Sequence, residues 1–116
     1  MYYHHTRAEN LPSILKRGLL PRTQSGRWHS SLGPMTFLDE DLERAQEKAA
    51  WTGHILLEID EDSLDPEELL IEPRGGWTYY TKKIPPSAIR KISVPREVAT
   101  RIKEYSHKIR REAGFE

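Results

Sequence analysis

The chain contains no cysteine, which excludes disulfide staples and thiol nucleophiles alike. No apolar run approaches the ~20 residues of a spanning segment, which excludes a transmembrane helix. Net charge is missing too: 18 Lys and Arg against 18 Asp and Glu sum to zero, so overall charge gives no pull toward nucleic acid or an anionic membrane. The opening Met1-Tyr2-Tyr3-His4-His5 lacks the basic and apolar regions of a signal peptide, so a cytoplasmic protein is the expectation. Glycine-rich phosphate loops are absent, because Gly75-Gly76 has neither a following Lys-Ser/Thr nor a third glycine. His4 and His5 are adjacent, so on a strand they face opposite sides, and no His-x-x-x-His or carboxylate cluster accompanies them. No metal is therefore expected.

What is present fits one compact domain spanning residues 1–116. Its charges are segregated. Residues 39–72 are mostly acidic, whereas Lys82, Lys83, Arg90, Lys91, Arg96, Arg101, Lys103, Lys108, Arg110 and Arg111 make the last third basic. Such asymmetry allows a positive face through which the C-terminal helix could meet nucleic acid. Pairing with Glu97, Glu104 and Glu112 on solvated helix faces accounts for these charges more simply.

Residues 2–6 are rich in β-favouring types and read as a strand. Asn10 can cap a following helix that has Pro12 in its first turn, Leu11, Ile14 and Leu15 on one face, and Gly18 at its end. Residues 21–34 show no period and read as a long loop. A strand is expected over residues 35–38, then a helix over 40–51 capped by Asp39, with Leu42, Ala45 and Ala49 as its buried stripe. Residues 54–60, apolar on both faces in the middle, read as a central strand, giving a βαβαβ opening. Short strands are expected at 69–71, 77–81 and 89–94. Pro95 then opens a terminal helix whose Val98, Ile102, Tyr105 and Ile109 recur at helical spacing and read as core.

Three segments in order carry the functional reading. They are Tyr3-His4-His5-Thr6 with Asn10-Leu11 and Gly18-Leu19, then Thr36-Phe37-Leu38-Asp39 with Ala45 and Ala49, then Tyr79-Tyr80 before Ile84-Pro85-Pro86 and Ala88-Ile89. Together they resemble the ADP-ribosyltransferase-like superfamily, and most closely its DNA-targeting toxins. The resemblance implies an α+β domain with a split β-sheet cleft, short flanking helices and a C-terminal helix. It implies NAD as substrate and ADP-ribosyl (glycosyl) transfer to a macromolecular acceptor such as nucleic acid, with a toxin-like activity that a protein partner would restrain.

On this chain the resemblance gives His4, with Thr6 beside it, to the adenosine side of NAD, places Phe37 either near the nicotinamide or in the core, and has one of Tyr79 and Tyr80, with Tyr80 nominated, line the cleft. In transferase members a glutamate lies about eight residues before the first proline of the Pro-Pro pair, where it steadies an oxocarbenium-like transition state. Trp77 stands at that place here, and Glu72 is the nearest glutamate upstream, so His4 and Glu72 are the nominated catalytic residues. Two alternatives remain open. One is a catalytically inactive relative that binds a nucleotide, nucleic acid or protein. The other is an RNA 2′-phosphotransferase-like enzyme in which Arg7, Arg22 and Arg27 hold phosphate bidentately.

Overall fold

The computed structural model of the chain describes residues 1–23, 33–71 and 78–112. In chain order its main elements are β1 (Tyr2–Thr6), α1 (Leu11–Arg17), β2 (Arg22–Thr23), β3 (Pro34–Leu38), α2 (Leu42–Thr52), β4 (Ile55–Ile59), β5 (Leu69–Ile71), β6 (Thr78–Tyr80), β7 (Ile89–Ile92) and α3 (Arg96–Glu112). The strands form two small antiparallel sheets, ordered β1-β4-β7 and β2-β3-β6-β5, so the fold is α+β.

β4 is the middle strand of its sheet, which explains its run of apolar residues on both faces. Leu57 and Ile59 point into a core shared with Leu38 and Tyr80 of the second sheet and with Ile14 of α1. Leu56 points the other way, with Tyr3, to pack under Ala45 and Ala49 of α2. Small alanines at i and i+4 let the helix backbone approach the sheet closely.

Two isolated backbone bridges hold the elements together, the first between the two sheets and the second between the segments that follow α1 and β6. Tyr3 and Asp39 exchange N–H···O bonds of 2.7 and 2.8 Å, and Leu19 and Ile84 exchange two of 2.9 Å. The first explains why α2 starts later than its sequence suggests. Asp39 has its backbone committed to Tyr3, so the cap falls to Asp41, whose carboxylate accepts from the Arg44 N–H at 3.3 Å. The Asp39 carboxylate instead binds the Arg44 guanidinium at 2.9 Å and Lys48 Nζ at 3.1 Å. Burial would raise its pKa, but these donors hold it below the usual carboxylate range.

Four further expectations are corrected. Asn10 is already helical, at the end of a 3-10 turn (Ala8–Asn10), and its side chain turns back to Thr6 instead of capping α1. Leu42, in the first turn of α2, is 40% exposed and leaves the buried stripe to the two alanines. On α3 only Val98 of the expected stripe is buried, with Tyr105 and Ile109 at 56% and 40% exposure. The reason is length: Trp51, next to the last residue of α2, already meets Tyr105, so the turns of α3 beyond have no helix to lie on. Finally, β2 interrupts the expected loop at Arg22–Thr23, a strand too short to show a period.

Candidate functional site

Alternation along β3 sends the backbone groups of Met35, Phe37 and Asp39 to one edge and those of residue 36 and residue 38 to the other. β6 occupies the second edge. The first is divided: β2 pairs at Met35, β1 meets it only at Asp39, and between them the edge opens into a cavity of about 300 Å3. Its polar lining comes from His4, Thr6, Asn10, Ser13, Arg22 and Thr36, and its apolar lining from Ile14, Leu19, Leu20, Met35 and Phe37.

β1 supplies this wall because alternation turns His4 and Thr6 away from α2. The His4 ring spans the opening, with Nδ1 2.7 Å from the Phe37 carbonyl oxygen. A carbonyl only accepts, so Nδ1 carries the proton and donates. Burial lowers the His4 pKa, against the opposing pull of that carbonyl, so the ring is neutral at pH 7 and Nε2 keeps a lone pair. Asn10 Nδ2 donates to Thr6 Oγ1 at 3.1 Å, fixing the turn that leads into α1. Phe37 rests against Tyr79, ring centroids 5.0 Å apart. Thr36 Oγ1 is buried and has no hydrogen-bond partner among the described residues.

Of the residues nominated from sequence, His4, Thr6 and Phe37 come together in this cavity. Tyr80 does not line it; its ring enters the core and its hydroxyl accepts from the Asp65 N–H at 2.8 Å. Arg27 and Glu72, with Trp77, lie outside the described residues. Sequence reasoning gave Asn10 only a capping role and gave Thr36 none. The available signal for Thr36 was a lone hydroxyl within the otherwise apolar Met35-Thr36-Phe37-Leu38.

On the opposite face of β1, His5 Nδ1 lies 2.8 Å from His54 Nδ1, so one ring donates and the other accepts. Burial, then the charges of His4, His54 and Lys48, depress the His5 pKa to about 4, with Asp39 pulling the other way. A depressed histidine pKa stabilises the fold fully above the unfolded value of about 6.5, and that contribution is lost as pH falls toward the folded value. His5→Gln should therefore flatten the dependence of Tm on pH between about 6.5 and 4, measured by circular dichroism. An unchanged slope would show that His5 titrates as an ordinary exposed histidine.

The basic C-terminal helix presents a different surface. Arg101 crosses to Glu47 at 2.9 Å and Glu43 at 4.0 Å on α2, so part of its charge is compensated between helices. Beside it the half-exposed Trp51 and Tyr105 rings stand 6.2 Å apart, and Lys103 and His107 line a shallow hollow.

No family model, curated protein or solved structure matches the chain. Among the described residues no group of three or more His, Cys, Asp or Glu could hold a metal ion, and no helix is long and apolar enough to cross a membrane. The cleft on the divided edge of β3 is thus the site whose chemistry can be built from its own residues.

Proposed function

We propose that the chain is an ADP-ribosyltransferase-like domain that binds NAD in this cleft and transfers ADP-ribose to a macromolecular acceptor, nucleic acid being the first choice. The observation that carries the reading is the neutral His4 ring fixed across an opening between two sheets, with Thr6 and Phe37 in the same cavity. The volume lies at the lower end of the ~300–1,000 Å3 range for small-molecule sites, room for one nucleoside half of the dinucleotide. His4 Nε2 accepts from a ribose hydroxyl, and Ile14 and Leu19 give an apolar surface against which a heterocycle can lie.

In the transfer step the bond from ribose C1′ to nicotinamide breaks, and its electron pair leaves on the ring nitrogen. The acceptor nucleophile bonds to C1′ and releases its proton to water. The cleft contributes by immobilising the ribose and excluding solvent around the developing cation. Glu72 is the nominated stabiliser of that charge, and Arg22 stands at the cleft for the phosphates. A restraining protein partner belongs to the same reading.

Calorimetric titration with NAD and ADP-ribose tests this directly. Wild type should bind both, and His4→Ala should lose at least about tenfold in affinity. Absence of heat with either ligand, or equal binding by the variant, would overturn the reading. A second reading, an inactive binding module, is favoured by Trp77 standing at the usual glutamate position. Nicotinamide release that Glu72→Ala abolishes supports the enzyme, and binding without turnover supports the module.

A further inference from the structure

Thr36 lies on β3 opposite Tyr80 and is only 4% exposed, yet its hydroxyl has no partner among the described residues. Its cross-strand neighbour Tyr80 carries its own hydroxyl away to Asp65, where it accepts the backbone N–H at 2.8 Å, and makes no bond to Thr36. An unsatisfied buried hydroxyl costs about 1–3 kcal/mol, and valine would offer the same shape and the same preference for a strand without that cost. The chain nevertheless keeps a hydroxyl, closed off from solvent, on a residue that lines the cavity.

We propose that Thr36 Oγ1 is a specificity anchor for a sugar hydroxyl, the partner it lacks within the protein. This rests on the ligand reading of the same cavity and sharpens it, by selecting the part of the ligand that reaches the β3 wall. Among the polar groups fixed there is His4, whose Nδ1–H is committed to the Phe37 carbonyl, leaving Nε2 as an acceptor. A phosphate or carboxylate oxygen also only accepts and cannot satisfy it. A hydroxyl both donates and accepts, so a vicinal diol can donate to His4 Nε2 while exchanging a hydrogen bond with Thr36. Ile14 and Leu19 supply the apolar surface against which the rest of a nucleoside would rest. A site built around hydrogen bonds to a hydroxyl rejects the analogue that lacks it far more strongly than an apolar pocket rejects a missing methylene.

The test compares wild type, Thr36→Val and Thr36→Ser by calorimetry and thermal melting, with ADP-ribose, adenosine, 2′,3′-dideoxyadenosine and inorganic pyrophosphate as probes. Thr36→Val should melt at or above the wild-type temperature without probe, yet bind ADP-ribose and adenosine about tenfold or more weakly. Thr36→Ser should stay within about threefold of wild type, and dideoxyadenosine should bind wild type poorly and gain nothing from the serine. If Thr36→Val fails to fold, adenosine against dideoxyadenosine on wild type and Thr36→Ser decides the matter. Adenosine binding that depends on Thr36, with no heat from ADP-ribose or NAD, would sustain the anchor and sink the NAD reading. ADP-ribose binding unaffected by Thr36→Val would sink the anchor and leave the NAD reading standing. Pyrophosphate binding as tightly as ADP-ribose overturns the anchor, and silence from every probe overturns both.

Discussion

Gly18→Ala is expected to lower the melting temperature by roughly 15 °C or more. Gly18 ends α1 with φ +87° and ψ −176°, a region open essentially to glycine alone. A Cβ built there would overlap the Ile84 carbonyl oxygen, a contact no side chain can make. That oxygen accepts the Leu19 N–H, so relieving the clash means breaking one of the two stitches between the elements that enclose the core. Backbone strain and the lost pair of hydrogen bonds together amount to roughly 4 kcal/mol or more, a large share of the stability of a domain this size. A thermal melt followed by circular dichroism would check it, and a Tm within about 3 °C of wild type would show that α1 can end in another way.

Leu57→Ala should cost about 3–4 kcal/mol, or a Tm drop near 12 °C. Leu57 is fully buried at the centre of β4, the middle strand of its sheet, and belongs to the core shared by both sheets. Truncation there leaves a cavity walled by β-structure on two sides, which cannot collapse without sliding strands. It also removes the cross-strand neighbour of His4, so ligand affinity should fall in parallel with stability. Leu70→Ala serves as the control: at 45% exposure on a strand at the sheet edge it should stay within about 0.5 kcal/mol. Equal losses from the two variants would mean that the core is not where the packing places it.

The readable parts of the fold were those governed by local periodicity and punctuation. The β-formers of residues 2–6, Gly18 and Gly53 as helix stops, the two-faced run of β4 and the alternation that separates His4 from His5 all follow from neighbours within a few residues. What stayed hidden depends on partners distant in sequence. Asp39 looked like a cap because nothing local reveals that Tyr3 claims its backbone. Tyr105 and Ile109 looked buried because their spacing cannot disclose that α2 stops one turn too soon. The cleft was half visible for the same reason: a polar strand end flagged His4 and Thr6, whereas the orphaned hydroxyl of Thr36 exists only once β1, β2 and α1 close around β3.

Because β2 and β1 grip the same edge of β3 at Met35 and at Asp39, the mouth of the cleft has a built-in gauge. Four residue steps at about 3.3 Å each give an opening of about 13 Å. That length can change only in strides: a single inserted or deleted residue would turn the lining of β3 inside out, whereas two restore every face and alter the opening by about 7 Å. A ligand longer than the gauge has to bend within the cleft or run out past one of its two ends, so the length of this one short strand fixes the shape in which its occupant is held.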